Sequence, residues 1–240
     1  MPRATACAAN GTPVAVESWT LFALGEQRRA VLNDTTRMQP SLRVAPGRYE
    51  VRANAGNARV VERFEVDGER MTHRVVLNLG TLRPIGALAA ARPGRIGSWS
   101  VFADEVPGYA TGEQVLIVEA AEPVLRLTQG SYRIRFQTGQ AVNEVPVFVE
   151  AGQLITARVN LGAADITIIP SRGGRPLPAQ QTEIRRAGEP AVVTSSNSIR
   201  PRFVLPAGEW VARVRVEGVW REMPLTLTTG QEAEIPLALP

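Results

Sequence analysis

The stretch LRVAPGRYEVRANAG, Leu42 to Gly56, decides the fold because it comes back twice. The second copy is LRLTQGSYRIRFQTG, Leu125 to Gly139, and the third is FVLPAGEWVARVRVEG, Phe203 to Gly218. The copies align on Gly47, Gly130 and Gly208, which lie 83 and then 78 residues apart. Three and five positions before each glycine stand apolar residues: Val44 and Leu42, Leu127 and Leu125, Leu205 and Phe203. Two positions after it stands an aromatic: Tyr49, Tyr132, Trp210. Apolar residues then alternate with Arg and Glu through Val51 and Ala53, Ile134 and Phe136, or Ala212 and Val214. A period of two buries one set of side chains and wets the other, so each copy reads as a strand entered through a glycine turn.

The match extends in both directions. A second glycine (Gly56, Gly139, Gly218) reads as a hairpin turn, and a third (Gly68, Gly152, Gly230) follows the return strand. Each copy closes with VVLNL, ARVNL or IPLAL, ending at Leu79, Leu161 and Leu239. Upstream, ESWTLFAL (17–24) corresponds to GSWSVFAD (97–104), while the third copy carries QQTEIRR there and lacks the Trp. The chain therefore divides into three repeats, 1–80, 81–162 and 163–240. The best helical candidate, EQVLIVEAAEP (113–123), is rich in β-branched residues and ends at Pro, so it reads as strand or loop. Six or seven short strands per repeat need two sheets to bury their alternating faces. The expectation is an all-β chain, a tandem array of three small antiparallel β-sandwich domains. No Gly/Ser or Pro-rich linker separates them, which predicts a stiff row. The stretches that differ most, 25–40, 104–123 and 185–201, are expected to be loops, where any specificity would sit.

Composition narrows the function. The 240 residues carry 27 basic and 23 acidic groups, a net charge of +4, and every basic side chain apart from one histidine is Arg. The arginines are scattered between apolar residues instead of clustered, which argues against a nucleic-acid partner. No run approaches the ~18 apolar residues of a membrane span, and the N-terminal MPRATACAANGTP has no apolar signal core. Met1 and Pro2 lead almost directly into the first strand and Pro240 follows the last. That fits a piece of a longer array, a chain whose export signal has been removed, or a complete cytosolic protein.

One Cys and one His leave little for zinc or for a His-dependent nucleophile. His73 aligns with Ile155 and Ala233 in the closing strand, a structural position. Cys7 as nucleophile with His73 as base would lack a third, orienting residue; a small buried hydrophobe is the plainer reading. Calcium would need clustered acidic ligands, and Asp34, Asp67, Asp104 and Asp165 are scattered. Phosphate-loop and dinucleotide motifs are absent. The expectation is no catalytic residue, no cofactor and no metal. Trp19, Trp99 and Trp210 recur at strand positions that a core requires. Trp220 stands just past the hairpin glycine, where the other copies carry Ala58 or Ala141, and is the one candidate for ligand or partner contact.

The pattern PSRGGRPL, then VLPAGEWVARVRVEG, then LTLTTGQEAEIPLAL resembles the PEGA-type and carboxypeptidase-regulatory-like β-sandwich modules, over essentially the whole chain three times. The resemblance implies an Ig-like or transthyretin-like topology and a non-catalytic unit appended to a bacterial envelope or secreted protein. The implied partner is protein, either the larger parent chain or an envelope component, and the implied location is periplasmic, secreted or cell-envelope. Two functions follow: a structural or protein-interaction module, or a ligand-binding module for polysaccharide that uses Trp220 and the variable loops.

Overall fold

In the computed structural model, which describes residues 3–7, 16–35, 42–68, 72–89, 92–93 and 96–239, the alternating segments are strands and no described residue is helical. The first repeat contains β1 (Arg3–Cys7), β2 (Ser18–Leu24), β3 (Arg28–Thr35), β4 (Gly47–Ala55), β5 (Ala58–Val66) and β6 (Thr72–Val76). The second contains β7 (Leu79–Ala89), β8 (Arg92–Pro93), β9 (Gly97–Glu105), β10 (Gln114–Ala120), β11 (Leu125–Thr128), β12 (Gly130–Thr138), β13 (Ala141–Val149) and β14 (Leu154–Asn160). The third contains β15 (Ala163–Arg172), β16 (Arg175–Pro176), β17 (Gln181–Arg186), β18 (Val192–Ser196), β19 (Arg202–Pro206), β20 (Gly208–Val216), β21 (Val219–Leu227) and β22 (Glu232–Leu239).

Each repeat builds one antiparallel four-stranded sheet in the same order: β3-β2-β4-β5, β10-β9-β12-β13 and β18-β17-β20-β21. A second sheet pairs the first strand of the repeat with its last, and this pair is parallel: β1 with β6, β7 with β14, β15 with β22. The register is shared, since Thr72, Leu154 and Glu232 face Arg3, Thr81 and Asp165. Parallel neighbours need a long connection, and here the whole four-stranded sheet supplies it. β11 and β19 add an antiparallel strand to this second sheet, whereas their counterpart in the first repeat, 42–45, forms no strand. The stretches expected to be loops each contain the outer strand of a four-stranded sheet, β3, β10 and β18. All three pair through bulges, which break the alternation that would mark them as strands.

Buried side chains gather in three clusters that follow the repeats. Trp19, Tyr49 and Val51 belong to one, Trp99, Tyr132 and Phe136 to another, Ile166, Trp210 and Val214 to the third. The recurring aromatic is buried each time and fastened the same way. Its polar hydrogen goes to the carbonyl four residues back: Tyr49 to Ala45 (2.7 Å), Tyr132 to Thr128 (2.6 Å), Trp210 Nε1 to Pro206 (2.9 Å). One residue thus supplies apolar area worth about 2–3 kcal/mol and pins the turn around the aligned glycine.

Neighbouring repeats touch through a repeated hairpin, and the second and third also touch through β7 and β15. The β4–β5 hairpin of the first repeat meets β11 and the 106–113 loop of the second. Arg59 donates to the Gly108 carbonyl (3.3 Å) and to Glu113 Oε1 (3.2 Å), with its guanidinium 4.6 Å from the Tyr109 ring centre. Tyr109 donates back to the Asn57 carbonyl, and Thr128 to the Arg59 carbonyl. The equivalent β12–β13 hairpin meets β19 of the third repeat, where Gln140 N donates to the Val204 carbonyl (2.9 Å). Gly139 turns there at φ +54°, and a Cβ on it would come 2.7 Å from that carbonyl, so the close approach and the turn both require glycine.

Candidate functional site

Trp220 lies one residue into β21, half-buried, on the outer face of the four-stranded sheet, opposite Arg215. The guanidinium of Arg213 sits 4.4 Å from its ring centre, a cation–π contact that covers part of the indole. No other aromatic ring stacks on it among the described residues. Beside Arg213 a groove of about 240 Å³ is lined by Glu183, Arg185, Pro190, Val192, Arg213 and Glu222. The charged groups across it are paired, Arg185 with Glu222 at 2.9 Å and Arg213 with Glu183 at 3.6 Å.

The counterpart of Trp220 differs from the sequence alignment. Val219, not Trp220, closes the hairpin opposite Val216, as Ala58 does opposite Ala55 and Ala141 opposite Thr138. Trp220 therefore corresponds to Arg59 and Val142. The slip comes from the turn. Gly56 and Gly139 take its first central position, whereas the third hairpin puts Glu217 there at φ +48° and Gly218 second at φ +82°. A turn with positive φ at both central residues takes its glycine second. Glu217 is held in that conformation by two hydrogen bonds from Arg172, at 2.9 and 3.3 Å.

Comparable arginine–carboxylate networks cover the outer faces of the other four-stranded sheets. In the first repeat Glu50 is buried and takes Arg28 at 2.6 Å, Arg63 at 3.1 Å and Arg52 at 3.2 Å, while Arg28 lies 3.7 Å from the centre of the Phe22 ring. Burial alone would raise the carboxyl. The hydrogen bonds from Arg63 and Arg52 and the charge of Arg28 outweigh it, and the pKa falls below its ordinary value. In the second repeat Arg133 bridges Asp104 and Glu144, and Arg135 shares Glu144. In these lattices the arginines that alternate with apolar residues along the strands, such as Arg133 and Arg135, are paired surface groups.

His73 stands opposite Ala4, as Ile155 and Ala233 stand opposite Leu82 and Ile166, so the aligned position is the same in space. Its ring stacks 4.2 Å from Phe64, and Nε2 lies 3.0 Å from Glu62 Oε2. Cys7 pairs with Val76, three positions along the ladder and about 10 Å from His73; its side chain lies outside the described residues. No group of three or more His, Cys, Asp or Glu suited to a metal occurs among the described residues. Among them, too, no helix is long and apolar enough to cross a membrane. Sequence reasoning missed Arg59, Tyr109 and Thr128, whose roles depend on contacts between repeats that no local pattern announces.

No family model and no curated protein matches the chain. Among solved structures it is similar to the Bacillus anthracis TIE protein, at 14% identity and a TM-score of 0.31, over 99% of this chain and 49% of that one. It is also similar to GBS52, the minor pilin of Streptococcus agalactiae, at 11% identity and 0.36, over 66% of this chain and 94% of that one. A Streptococcal ancillary pilin aligns at 10% identity and 0.32, over 98% of both chains. The chain spans about half the length of the TIE protein.

Proposed function

We propose that the chain is a non-catalytic structural and protein-interaction module, three β-sandwich domains (1–80, 81–162 and 163–240) in a stiff row. The observation that carries this is the repeated hairpin junction, which joins the repeats by direct packing and hydrogen bonds. Three core clusters, one lying mainly in each repeat, support the division. The resemblance to PEGA-type and carboxypeptidase-regulatory-like modules adds a periplasmic, secreted or cell-envelope setting and a larger parent protein. Trp220 counts against sugar stacking as the main role, because Arg213 lies over its ring and no second aromatic stands beside it among the described residues. Small-angle scattering of the monomeric chain tests the row: an elongated, narrow size distribution is expected, and a broad one, as from beads on flexible string, would overturn it.

A further inference from the structure

The same hairpin occurs three times, and two copies are engaged. In the first repeat it meets β11, and in the second it meets β19, which occupies the same place in the next repeat. The third hairpin, Val216 to Val219, keeps its bonds within its own repeat: Glu217 with Arg172, and Gly218 N with Gln180 Oε1. Val219 is 49% exposed, beside a recess of about 100 Å³ whose apolar walls include Val216, Val219 and Leu239.

The receiving surface is also left over once. Thr128, which bonds the first hairpin, is buried, and Val204, which bonds the second, is half-buried. Their counterparts in the first repeat, Ala45 and Arg43, are exposed, beside an exposed Pro46. Among the described residues, one chain therefore presents a hairpin with no neighbouring repeat on it in the third repeat and a seat with no hairpin on it in the first.

We propose that a second copy of this chain joins these two surfaces, the third-repeat hairpin of one copy seating on residues 42–46 of the next. This rests on the reading of the repeats as an interaction module and names its partner. The argument is continuity with a junction the chain makes twice within itself. Composition supports it, because the free hairpin carries the largest apolar pair of the three, Val219 and Trp220 against Ala58 and Arg59 or Ala141 and Val142. Trp220 also takes the position from which Arg59 reaches Tyr109 across the first junction. Docking between separate chains must offset lost translational and rotational freedom that a covalent junction does not, and extra apolar area supplies what is needed. Two different surfaces meet, so the contact is heterologous and grows into a ring or an open filament.

Sedimentation velocity of the 240-residue chain over a concentration series tests this. The parent should sediment faster as concentration rises. Trp220→Ser and Ala45→Arg should each remain monomeric, with melting temperatures close to the parent's. An equimolar mixture of the two should form dimers and stop there, since one variant retains a working hairpin and the other a working seat. If either variant fails to fold, Val219→Glu replaces the first and Arg43→Glu the second. A parent that stays monomeric to its solubility limit overturns the proposal. So does association lost in Trp220→Ser but kept in Ala45→Arg, which would mark a hairpin-to-hairpin dimer. Scattering from the monomeric variants reads stiffness separately, so failure of the module reading and failure of self-association give different results.

Discussion

In the second repeat Trp99 lies against Phe136, ring centres 4.3 Å apart, with its Nε1 bonded to the Ala120 carbonyl. At the same register point of the third repeat Thr182 faces Val214, fully buried, and its hydroxyl has no partner among the described residues. Two rings have become a threonine and a valine, yet sheet order and the register of the hairpin are unchanged. The third repeat places bulk elsewhere, with Phe203 where the second has Leu125, Trp210 where it has Tyr132, and Ile184 where it has Val101. The difference teaches that this scaffold specifies a buried volume and a set of turns, and leaves the placement of the rings open.

The largest effect is expected from Trp99→Ala. It removes a fully buried ring and strands Phe136, and should cost about 4 kcal/mol in thermal or denaturant unfolding of the second repeat. A cost below about 1 kcal/mol would mean that the core collapses around the gap and that the ring is not its centre.

Alkaline unfolding separates the same two repeats. Burial, aided by the nearby Tyr109, raises the Tyr132 pKa above its ordinary value of 10.0. The unfolded chain then loses this proton first. The stabilisation is fully present below about pH 10 and is lost as pH rises through the higher folded value. Trp210 at the same place cannot ionise. Hydrogen exchange above about pH 10 should show the second repeat opening before the third. Tyr132→Phe should remove that part of the pH dependence, and simultaneous opening would count against the assignment.

The smallest effect should come from Thr182→Val, which deletes an unpartnered buried hydroxyl at almost constant volume. It should stabilise the third repeat by about 1 kcal/mol in denaturant unfolding. Destabilisation would show that the hydroxyl has a partner.

The strands around Gly47, Gly130 and Gly208 were legible because one face of each is buried along its whole length, which writes a period of two into the sequence. Burial of Trp19, Trp99 and the three recurring aromatics followed from the same logic. The bulged strands β3 and β18 were hidden, and β10 was read only as strand or loop, since each lies at a sheet edge and carries exposed apolar residues such as Val31, Ile117 and Val192. The parallel pairing of first and last strands was hidden too, because its partners are separated by most of a repeat. Trp220 was found by its oddity, but its counterpart was misplaced by one residue, since Glu217 adopts a conformation that sequence patterns reserve for glycine. Its place in the docking hairpin emerges only from Arg59 and Tyr109, which lie far apart in the chain and meet across the junction.

Single-molecule extension of the chain, tethered at its two ends, tests whether the three repeats are separate sandwiches. Three self-contained sandwiches should give three separate unfolding events, each releasing roughly 80 residues and thus about 28 nm of contour length at ~3.5 Å per residue. One event releasing the whole chain, or events whose lengths cross the boundaries near residues 80 and 162, would contradict it.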